Sequence, residues 1–415
     1  MSGVVVVGAG HAGLAAALEL KAQGYAGEVT LLDRSEFAPY ERPPISKVWI
    51  AGEGEPSDLF LRTPESLQES GIRFIGGTEI TGLDRERKVV HTSQGEFFYD
   101  DLVLALGATP RALNAPGREL SGIHHLHTLE QAVALRAELA DAEKLVVVGG
   151  GFIGLELAST LADRMQVAVV EAAPRLMGRA TSEYSSAHMR KRHEELGIEF
   201  HFGAGVEGFT GEDGRLTGVR IAGGPLIDAD VAVLGIGVVP NGSWVAEAGL
   251  DFQDGILVDD GLRTSDPHIY AIGDCARYPS QTSQTGTTRL ESVGNAADHA
   301  RRVAATIAGT AVPATDIPWF WTKQAGVRLQ MVGHIQFVQE WLIAGDGESS
   351  AFSVVGLADD RVVYGESINR PGDHVALRKV LAAGAGPLTE EMKSRLGEGL
   401  RPVLDELQHA APVAS

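Results

Sequence analysis

One short motif occurs twice in the chain, as VVVVGAGHAGLAA at residues 4–16 and as LVVVGGGFIGLEL at residues 145–157. In each copy a run of β-branched residues ends in glycine, which is typical of a parallel strand that is buried on both faces. Residues with helical periodicity follow, and a second apolar run, 29–32 or 167–171, ends in or beside an acidic residue. Strand, glycine turn, helix and strand make a βαβ unit, so the sequence predicts that this unit is duplicated.

The glycines of both copies have the spacing G-x-G-x-x-G. The first glycine of such a loop makes the tight turn, the second lets the backbone approach a pyrophosphate, and the third lets the helix pack closely on the strand. The helix N-terminus offers free N–H groups and a partial positive charge to phosphates. A glycine-rich turn without a ligand is the alternative interpretation of one such motif alone. The residues that predict two dinucleotide sites are Gly8, Gly10 and Gly13 with Asp33, and Gly149, Gly151 and Gly154 with Glu171.

Two dinucleotide sites favour a flavin and a nicotinamide, because these two cofactors exchange hydride. We therefore expect FAD and NADH as cofactors. Glu171 at the strand end favours a free ribose 2′-OH and repels a 2′-phosphate, which predicts NADH rather than NADPH. Arg175 and Arg179 follow closely and could weaken that preference.

Composition narrows the class of protein. The 415 residues suffice for two or three domains, and 44% apolar residues with 22% charged residues indicate a globular chain. The formal charge of −20 argues against nucleic acid and anionic membrane surfaces as partners. The sequence has neither a membrane-spanning apolar run nor a signal-peptide pattern, so we expect a cytoplasmic protein. Cys275 is the only cysteine, which excludes an intrachain disulfide and favours a packing role for its thiol.

Two predicted strands near residues 102–106 and 230–241 each lead towards a proline, and we interpret them as the points where the chain leaves and re-enters its first domain. A proline-rich linker at 310–318 precedes alternating strand patterns. We expect an α/β fold with two Rossmann-like domains and a smaller α+β C-terminal domain. The predicted domains are an FAD-binding domain at 1–111 and 240–315, an NADH-binding domain at 112–239 and a C-terminal domain at 316–415.

Several further motifs accompany the glycine loops in a fixed order. They are YERPPISK at 40–47, LALGATPR at 104–111, TSDPHIYAIGDCA at 264–276, LESVGNA at 290–296 and PWFW at 318–321. Together with the two loops they resemble the oxygenase-coupled NADH-dependent ferredoxin reductases, the putidaredoxin-reductase-like FAD/NAD flavoproteins, over nearly the whole chain. The resemblance implies a glutathione-reductase-like arrangement of the two Rossmann-like domains.

The resemblance also implies roles for individual residues. Lys47 and Glu156 would form a catalytic pair, with Lys47 near the flavin N5 edge and Glu156 at the nicotinamide end. A solvated loop lysine and a first-turn helix acid are the alternatives for these two residues. The implied FAD-binding residues are Gly8, Gly10, His11, Ala12, Gly13, Asp33, Arg34, Lys47, Ala105, Arg111, Gly273, Asp274, Ser292, Val293 and Trp321. The implied NAD-binding residues are Gly149, Gly151, Phe152, Ile153, Gly154, Glu156, Glu171, Arg179 and Gly237.

Some positions depart from the family's usual pattern. Leu106 replaces a common threonine, Lys323 replaces a common acid, and Gly294 replaces a larger residue. The last two changes bear on the identity of the partner more than on the reaction. The HHLH stretch at 124–127 has no metal-ligand spacing, and we interpret it as a structural connection.

The reduced flavin must pass its electrons to an external acceptor, because the chain lacks the cysteine pair of a disulfide reductase. The resemblance implies that this acceptor is a [2Fe-2S] ferredoxin that feeds a cytochrome P-450 or Rieske-type oxygenase. Arg301, Arg302 and Lys323 are candidate docking residues for such an acidic partner, and a solvated helix face is the alternative for the two arginines. The alternative functions are reduction of rubredoxin or another carrier, and NADH sensing by a flavoprotein of the apoptosis-inducing-factor type.

Overall fold

The computed structural model describes residues 3–52, 54–280 and 286–410, which divide into two units. The first unit contains residues 3–42, 54–109 and 238–316, and the second contains 43–52, 110–237 and 317–410. The segment 43–52, which we predicted within the FAD-binding domain, therefore packs with the second unit. The predicted NADH-binding and C-terminal segments share that second unit, and their division into separate domains stays a prediction.

The first unit is built on a mixed sheet whose centre is the buried strand Gly3–Val7. This strand pairs in parallel with Val29–Leu32 on one side and with the carboxyl-terminal half of Gly95–Leu104 on the other. Because parallel neighbours flank it and helices cover the sheet, all five of its residues are buried, as its β-branched sequence predicts. The other strands of the sheet are Ile72–Ile75, Ile80–Asp84, Val89–Thr92 and Ile269–Ala271.

Two helices of the first unit, His11–Ala22 and Val293–Ala308, pack on each other and contribute apolar residues to the core around this sheet. A shorter helix, Pro64–Glu69, is capped by the Thr63 hydroxyl. A small sheet contains the strands Ile256–Leu257, Ala276–Pro279 and Thr287–Thr288. Two further strands are Val238–Pro240 and Ala108–Pro110, and the second of these ends one residue inside the second unit. The 3-10 turns are Pro56–Leu59, Ser243–Ala246 and Gly273–Cys275.

The second unit contains a five-stranded parallel sheet around Lys144–Val148. The order of its strands is Glu199–Phe202, Gln166–Glu171, Lys144–Val148, Val231–Leu234 and Ile123–His124. The helices in this part of the chain are Leu129–Leu139, Phe152–Leu161 and Glu183–Glu194. A separate antiparallel sheet contains Val206–Glu212, Arg215–Ile221 and Leu226–Asp228.

The C-terminal part of the second unit is a five-stranded antiparallel sheet, and the helix Pro371–Ala382 packs on one of its faces. The order of strands is Trp319–Gln324, Val327–Gly333, Arg361–Ile368, Phe352–Ala358 and Glu340–Ala344. A turn at Asp359 and Asp360 joins two of these strands, and both residues have positive φ. The helices are Pro371–Ala382, Glu390–Ser394 and Leu400–Ala410, and the 3-10 turns of the unit are Pro43–Ser46, Ile335–Phe337 and Leu396–Glu398.

The described part of the chain contains no helix that is both long enough and apolar enough to cross a bilayer. The sheets and helices described above confirm the mixed α/β class, with a separate antiparallel C-terminal sheet.

Candidate functional site

The first position of each loop must be glycine, because the backbone just after a neighbouring strand lies too close for a side chain. Gly8 has φ +98° and Gly149 has φ +111°, a region that side chains rarely adopt. A Cβ on Gly8 would lie 2.2 Å from the carbonyl oxygen of Ala105, and one on Gly149 would lie 2.4 Å from that of Gly235. Both copies therefore make the same tight turn for the same steric reason, and Ala105 forms the wall of the first loop.

The third glycine of each loop permits close packing of the following helix. A Cβ on Gly13 would lie 1.8 Å from the Gly8 carbonyl oxygen, and one on Gly154 would lie 2.6 Å from the Gly149 carbonyl oxygen. The helix begins directly above the turn in both copies, so the loop and the first helical turn form one rigid piece.

The second glycine of each loop meets almost nothing in the protein. A Cβ on Gly151 would have no atom within 4 Å, and one on Gly10 would meet only Arg42 Nη2 at 3.8 Å. Both glycines are the N-caps of their helices, His11–Ala22 and Phe152–Leu161, and no side chain caps either helix. The protein leaves open space at two helix N-termini where backbone N–H groups are free, and this space fits the pyrophosphate of a dinucleotide.

The acidic residue after each second strand is bound to its own loop. Asp33 Oδ2 accepts a hydrogen bond from the Ala9 N–H, and Asp33 Oδ1 accepts one from the Ser35 N–H at 2.7 Å. Glu171 Oε2 accepts from the Gly150 N–H at 2.6 Å, and its Oε1 accepts from the N–H two residues further along the chain at 2.7 Å. Each carboxylate oxygen keeps a lone pair for a ribose hydroxyl, so the acids can hold the loop and a ligand together.

In the first unit, the loop at Gly273 brings Asp274 to the start of the first glycine-loop helix. A Cβ on Gly273 would lie 2.8 Å from the Ala12 Cβ. Burial raises the pKa of the Asp274 carboxyl to about 6, with a further rise from Glu291 and opposition from the positive charge of Arg42. A carboxyl that is costly to ionise in the protein alone gains from a ligand that donates hydrogen bonds to it, as a ribityl chain does.

His11, in the first helical turn, is a weak base in this structure. Burial, and then the charge of Arg42, lower the pKa of His11 to about 4. The imidazole is therefore neutral at physiological pH.

Three other predicted FAD-binding residues also lie in the first unit. Arg34 is exposed. Ser292 caps the helix Val293–Ala308 by accepting a hydrogen bond from the Asn295 N–H at 3.1 Å, and Val293 is half-buried at the start of that helix.

His299 supports the Gly273 loop and has no counterpart in the sequence prediction. Its Nδ1 accepts a hydrogen bond from the Gly273 N–H at 3.1 Å, and burial lowers the pKa of the imidazole to about 3. Tyr278 stands edge-on to the ring at 4.6 Å. A histidine within an amphipathic helix carries no pattern that identifies such a contact.

In the second unit, Lys47 and Glu156 form an ion pair. Lys47 Nζ lies 2.7 Å from Glu156 Oε2, with 24% of the lysine side chain and 7% of the glutamate side chain exposed. Lys47 Nζ also donates to the Pro43 carbonyl at 3.0 Å. The Ser46 hydroxyl donates to the same Oε2 at 2.6 Å, and the Thr322 hydroxyl donates to Oε1 at 2.6 Å. The two residues that the resemblance pairs are therefore paired here, and Ser46 and Thr322 are partners that the sequence analysis missed.

The strand Trp319–Gln324, which carries Thr322, also carries three aromatic side chains. Phe320 contacts Phe152 with ring centroids 4.7 Å apart, on the strand face that also carries Thr322. Trp321 lies on the opposite face and stacks on Trp319 at 5.2 Å. Ile153, next to Phe152, is 46% exposed at the open end of its helix, where a nicotinamide dinucleotide would be expected.

Arg111 and Arg179 border Gly237 at the end of the second unit's parallel sheet. Arg111 Nε and Arg179 Nη2 each lie 3.8 Å from the position that a Cβ on Gly237 would take, and both side chains are exposed. Arg175, in contrast, donates to the carbonyls of Gly178 and Thr181, both at 2.7 Å. Arg175 is thus committed to its own loop, which removes one candidate for a 2′-phosphate contact.

The structure corrects the expectation that Arg302 belongs to a surface docking patch. Arg302 is only 6% exposed because it lies on the packed face of its helix. It donates to the Asp260 carbonyl at 2.5 Å and pairs with Asp298 at 3.6 Å. Arg301 pairs with Asp316 at 2.7 Å, whereas Lys323 is exposed.

Neither the histidine stretch nor the single cysteine forms a reactive centre in the described residues. His124 pairs with Glu138 at 3.1 Å, and the described ranges contain no group of three metal-ligating side chains. Cys275 is buried, and burial raises the pKa of its thiol to about 11. Its Sγ lies 3.4 Å from the Leu104 carbonyl oxygen, so the thiol fills space beside a core strand.

Comparison with known proteins agrees with this geometry. Residues 2–300 match the family model of the pyridine nucleotide-disulphide oxidoreductases, and residues 319–395 match the reductase C-terminal model. Rhodocoxin reductase of Rhodococcus erythropolis is 40% identical over 94% of this chain and 91% of its own length. A rubredoxin-NAD(+) reductase of Pseudomonas putida is 38% identical over 90% of this chain and 97% of its own.

Among solved structures, the ferredoxin reductase for the CYP199A2 system from Rhodopseudomonas palustris superposes with a TM-score of 0.92 at 37% identity, covering 97% of this chain and all of that one. The family uses FAD and NAD(H), and the open helix N-termini at Gly10 and Gly151 fit two dinucleotides. The chain therefore belongs to the pyridine nucleotide-disulphide oxidoreductase family, as an FAD-dependent oxidoreductase with a reductase C-terminal domain.

Proposed function

We propose that this chain is an FAD-dependent NADH:ferredoxin reductase, whose [2Fe-2S] ferredoxin serves a cytochrome P-450 or Rieske-type oxygenase. The observation that carries the proposal is the pair of glycine loops, each with an open helix N-terminus and an acid bound to the loop. The relatives named above, which reduce small electron carriers, supply the class of acceptor. Only one cysteine, buried and inert, is present in the chain, so an internal disulfide is not the acceptor.

Under this proposal the chain's residues bind and orient two cofactors. NADH and FAD, when bound, would supply the chemistry of hydride transfer and of electron transfer to the carrier. Asp33, Asp274 and the first glycine loop hold FAD, while Glu171 and the second loop hold NADH. The Lys47 ammonium has two fixed acceptors, Glu156 and the Pro43 carbonyl, so it is a preorganised positive charge for a group that gains electrons.

The docking surface for the ferredoxin is part of this proposal, and Lys323 is its anchor. Lys323 lies directly opposite Arg328 in the antiparallel pair of Trp319–Gln324 with Val327–Gly333. Both side chains are exposed, and within the described residues neither makes an ion pair. Like charges placed opposite each other destabilise a sheet pair, and an acidic partner would relieve that repulsion. Arg302 has no place in this surface because it is buried, and Arg301 is already neutralised by Asp316.

Reduction of rubredoxin is the second candidate, because a rubredoxin-NAD(+) reductase is among the relatives that match most of the chain. The two carriers are distinguished by assaying NADH-dependent reduction of a panel of purified [2Fe-2S] ferredoxins and rubredoxins. We expect the holoenzyme to reduce a ferredoxin within seconds. Reduction of rubredoxin alone would favour the second candidate, and a reduced flavin that no carrier reoxidises would contradict both and favour an NADH sensor.

A further inference from the structure

The Glu156 carboxylate is shared by three separate segments of the second unit. The turn Pro43–Ser46 and the residue after it place the Ser46 hydroxyl and the Lys47 ammonium on Oε2. The helix Phe152–Leu161 carries Glu156 itself, and the strand Trp319–Gln324 places the Thr322 hydroxyl on Oε1 at 2.6 Å. Oε1 thus depends on a residue of the C-terminal sheet.

The hydrogen bond from Thr322 has a fixed direction. Gln324 Nε2 donates to Thr322 Oγ1 at 3.0 Å, so the hydroxyl's acceptor site is occupied and its proton is directed to Glu156. Thr322 has no exposed surface and Gln324 is 3% exposed, so bulk water cannot replace either donor. The relay therefore runs from the Gln324 amide through the Thr322 hydroxyl to the carboxylate.

The register of strand on helix explains why the hydroxyl arrives at this position. Phe320 and Thr322 are two residues apart on one face of the strand, and they contact Phe152 and Glu156, which are four residues apart on one face of the helix. Two strand residues span roughly 6.6 Å and four helical residues rise roughly 6 Å, so the two spacings match. The aromatic contact therefore sets the height at which Thr322 meets Glu156.

We infer that Thr322 is a positioning residue, which fixes the Glu156 carboxylate so that Oε2 stays with Lys47. Without the hydroxyl, Oε1 would be a buried acceptor without a donor, and the carboxylate would rotate to recover one from Lys47 or Ser46. The Lys47 ammonium would then lose its fixed place. The inference depends on the proposed function in one respect, namely that the Lys47–Glu156 pair takes part in the reduction of the flavin by NADH.

The test compares the isosteric Thr322→Val, which removes the hydroxyl, with Thr322→Ser, which keeps it. Reduction of the bound flavin by NADH is followed by stopped-flow, without any ferredoxin, so failure to find a ferredoxin partner leaves this assay unaffected. We expect Thr322→Val to slow reduction about tenfold, the size of one lost buried hydrogen bond, and Thr322→Ser to stay within about threefold of wild type. Thr322→Ala should behave like Thr322→Val and serves if the valine variant does not fold.

Two further readouts separate positioning from a general loss of packing. The rate at which an amine-reactive reagent modifies Lys47, measured by mass spectrometry, should rise several-fold in Thr322→Val and not in Thr322→Ser. In the Glu156→Gln background, Thr322→Val should add less than about twofold, because residues that act through one contact are not additive. Unchanged Lys47 modification, a fully additive loss in that background, or a Thr322→Ser variant as slow as Thr322→Val would each overturn the inference.

Discussion

Glu171 Oε2 accepts a hydrogen bond from the Gly150 N–H at 2.6 Å, so the acid at the end of one strand shapes the glycine loop at the end of its neighbour. Asp33 makes the equivalent bond to Ala9 in the first copy. The residue after the first glycine donates in both copies. Both loops are thus held in their binding conformation by the protein itself, and this symmetry allows the glycines to be tested in matched pairs.

Substitutions of the second and third glycines of the NADH loop should have different effects, one on NADH affinity and the other on stability. Gly151→Ala places its methyl group in open space at φ −84°, so we expect a folded protein with NADH affinity weakened about tenfold or more, because the methyl group would occupy the space of the pyrophosphate. Gly154→Ala would place a Cβ 2.6 Å from the Gly149 carbonyl oxygen, so we expect a lower melting temperature. Calorimetric titration and thermal unfolding measure the two effects. A Gly151→Ala protein with unchanged NADH affinity would contradict this assignment.

Substitution of the central ion pair should separate catalysis from cofactor binding. We expect Lys47→Ala and Glu156→Ala to retain FAD but to slow its reduction by NADH about 100-fold, the size expected when a preorganised charge is removed. Stopped-flow measures the rate, and the absorbance ratio of flavin to protein measures retention. Lys144→Ala is the matched control, because Lys144 pairs with Asp228 at 2.9 Å on the surface of the same unit. Wild-type reduction rates in both pair variants would remove Lys47 and Glu156 from the catalytic residues.

Charge reversal at the proposed docking surface should affect the carrier and not the nicotinamide. We expect Lys323→Glu with Arg328→Glu to raise the KM for an acidic ferredoxin about tenfold at low salt and to flatten its salt dependence. Flavin reduction by NADH should stay unchanged. The control is Arg215→Glu with Arg220→Glu, two exposed cations on the strand Arg215–Ile221, because it makes the same change in net charge. If the control and the double variant respond alike, net charge rather than this surface determines the association.

Binding of FAD should depend on pH through Asp274. Its pKa of about 6 in the protein alone means that the carboxyl is protonated below pH 6, whereas hydroxyl donors of FAD favour the ionised form. FAD binding should therefore release a proton near pH 6, and the affinity should fall by up to about tenfold per pH unit below that value. His11, with a pKa of about 4, stays neutral in this range.

Fluorescence titration of FAD-depleted protein between pH 5 and 8 measures this effect. Asp274→Asn should bind FAD weakly at every pH, without the slope. The assignment fails if the affinity rises towards pH 5 or if the asparagine variant keeps the same slope.

Local sequence was sufficient for features that neighbouring residues determine. Gly8, Gly149, Asp33 and Glu171 have the predicted places because a strand, a turn and a helix are close in the chain. The pairing of Lys47 with Glu156 came only from the family motifs, since no local pattern links a turn to a helix so distant in sequence.

Other contacts left no usable trace in the sequence. Thr322 contacts Glu156 in the second unit, and His299 contacts the Gly273 N–H in the first. Each lies on a strand or helix in which its residue type is common, so the sequence does not mark the contact. Arg302 misled us because a charged residue in an amphipathic helix is usually solvated. Its side chain instead lies on the packed face, where Asp298 one turn earlier neutralises it. Which face of a helix is covered depends on tertiary packing, which a single charge pattern does not specify.

The burial of Cys275 has a practical consequence. A thiol with a pKa near 11 behind a core strand offers almost no thiolate to maleimides or methanethiosulfonates at neutral pH. The native chain is therefore already a cysteine-silent background. A single cysteine introduced at Lys323 or Arg328 becomes the sole attachment point for a spin label or a photocrosslinker, and the carrier's footprint can be mapped without altering the wild-type core.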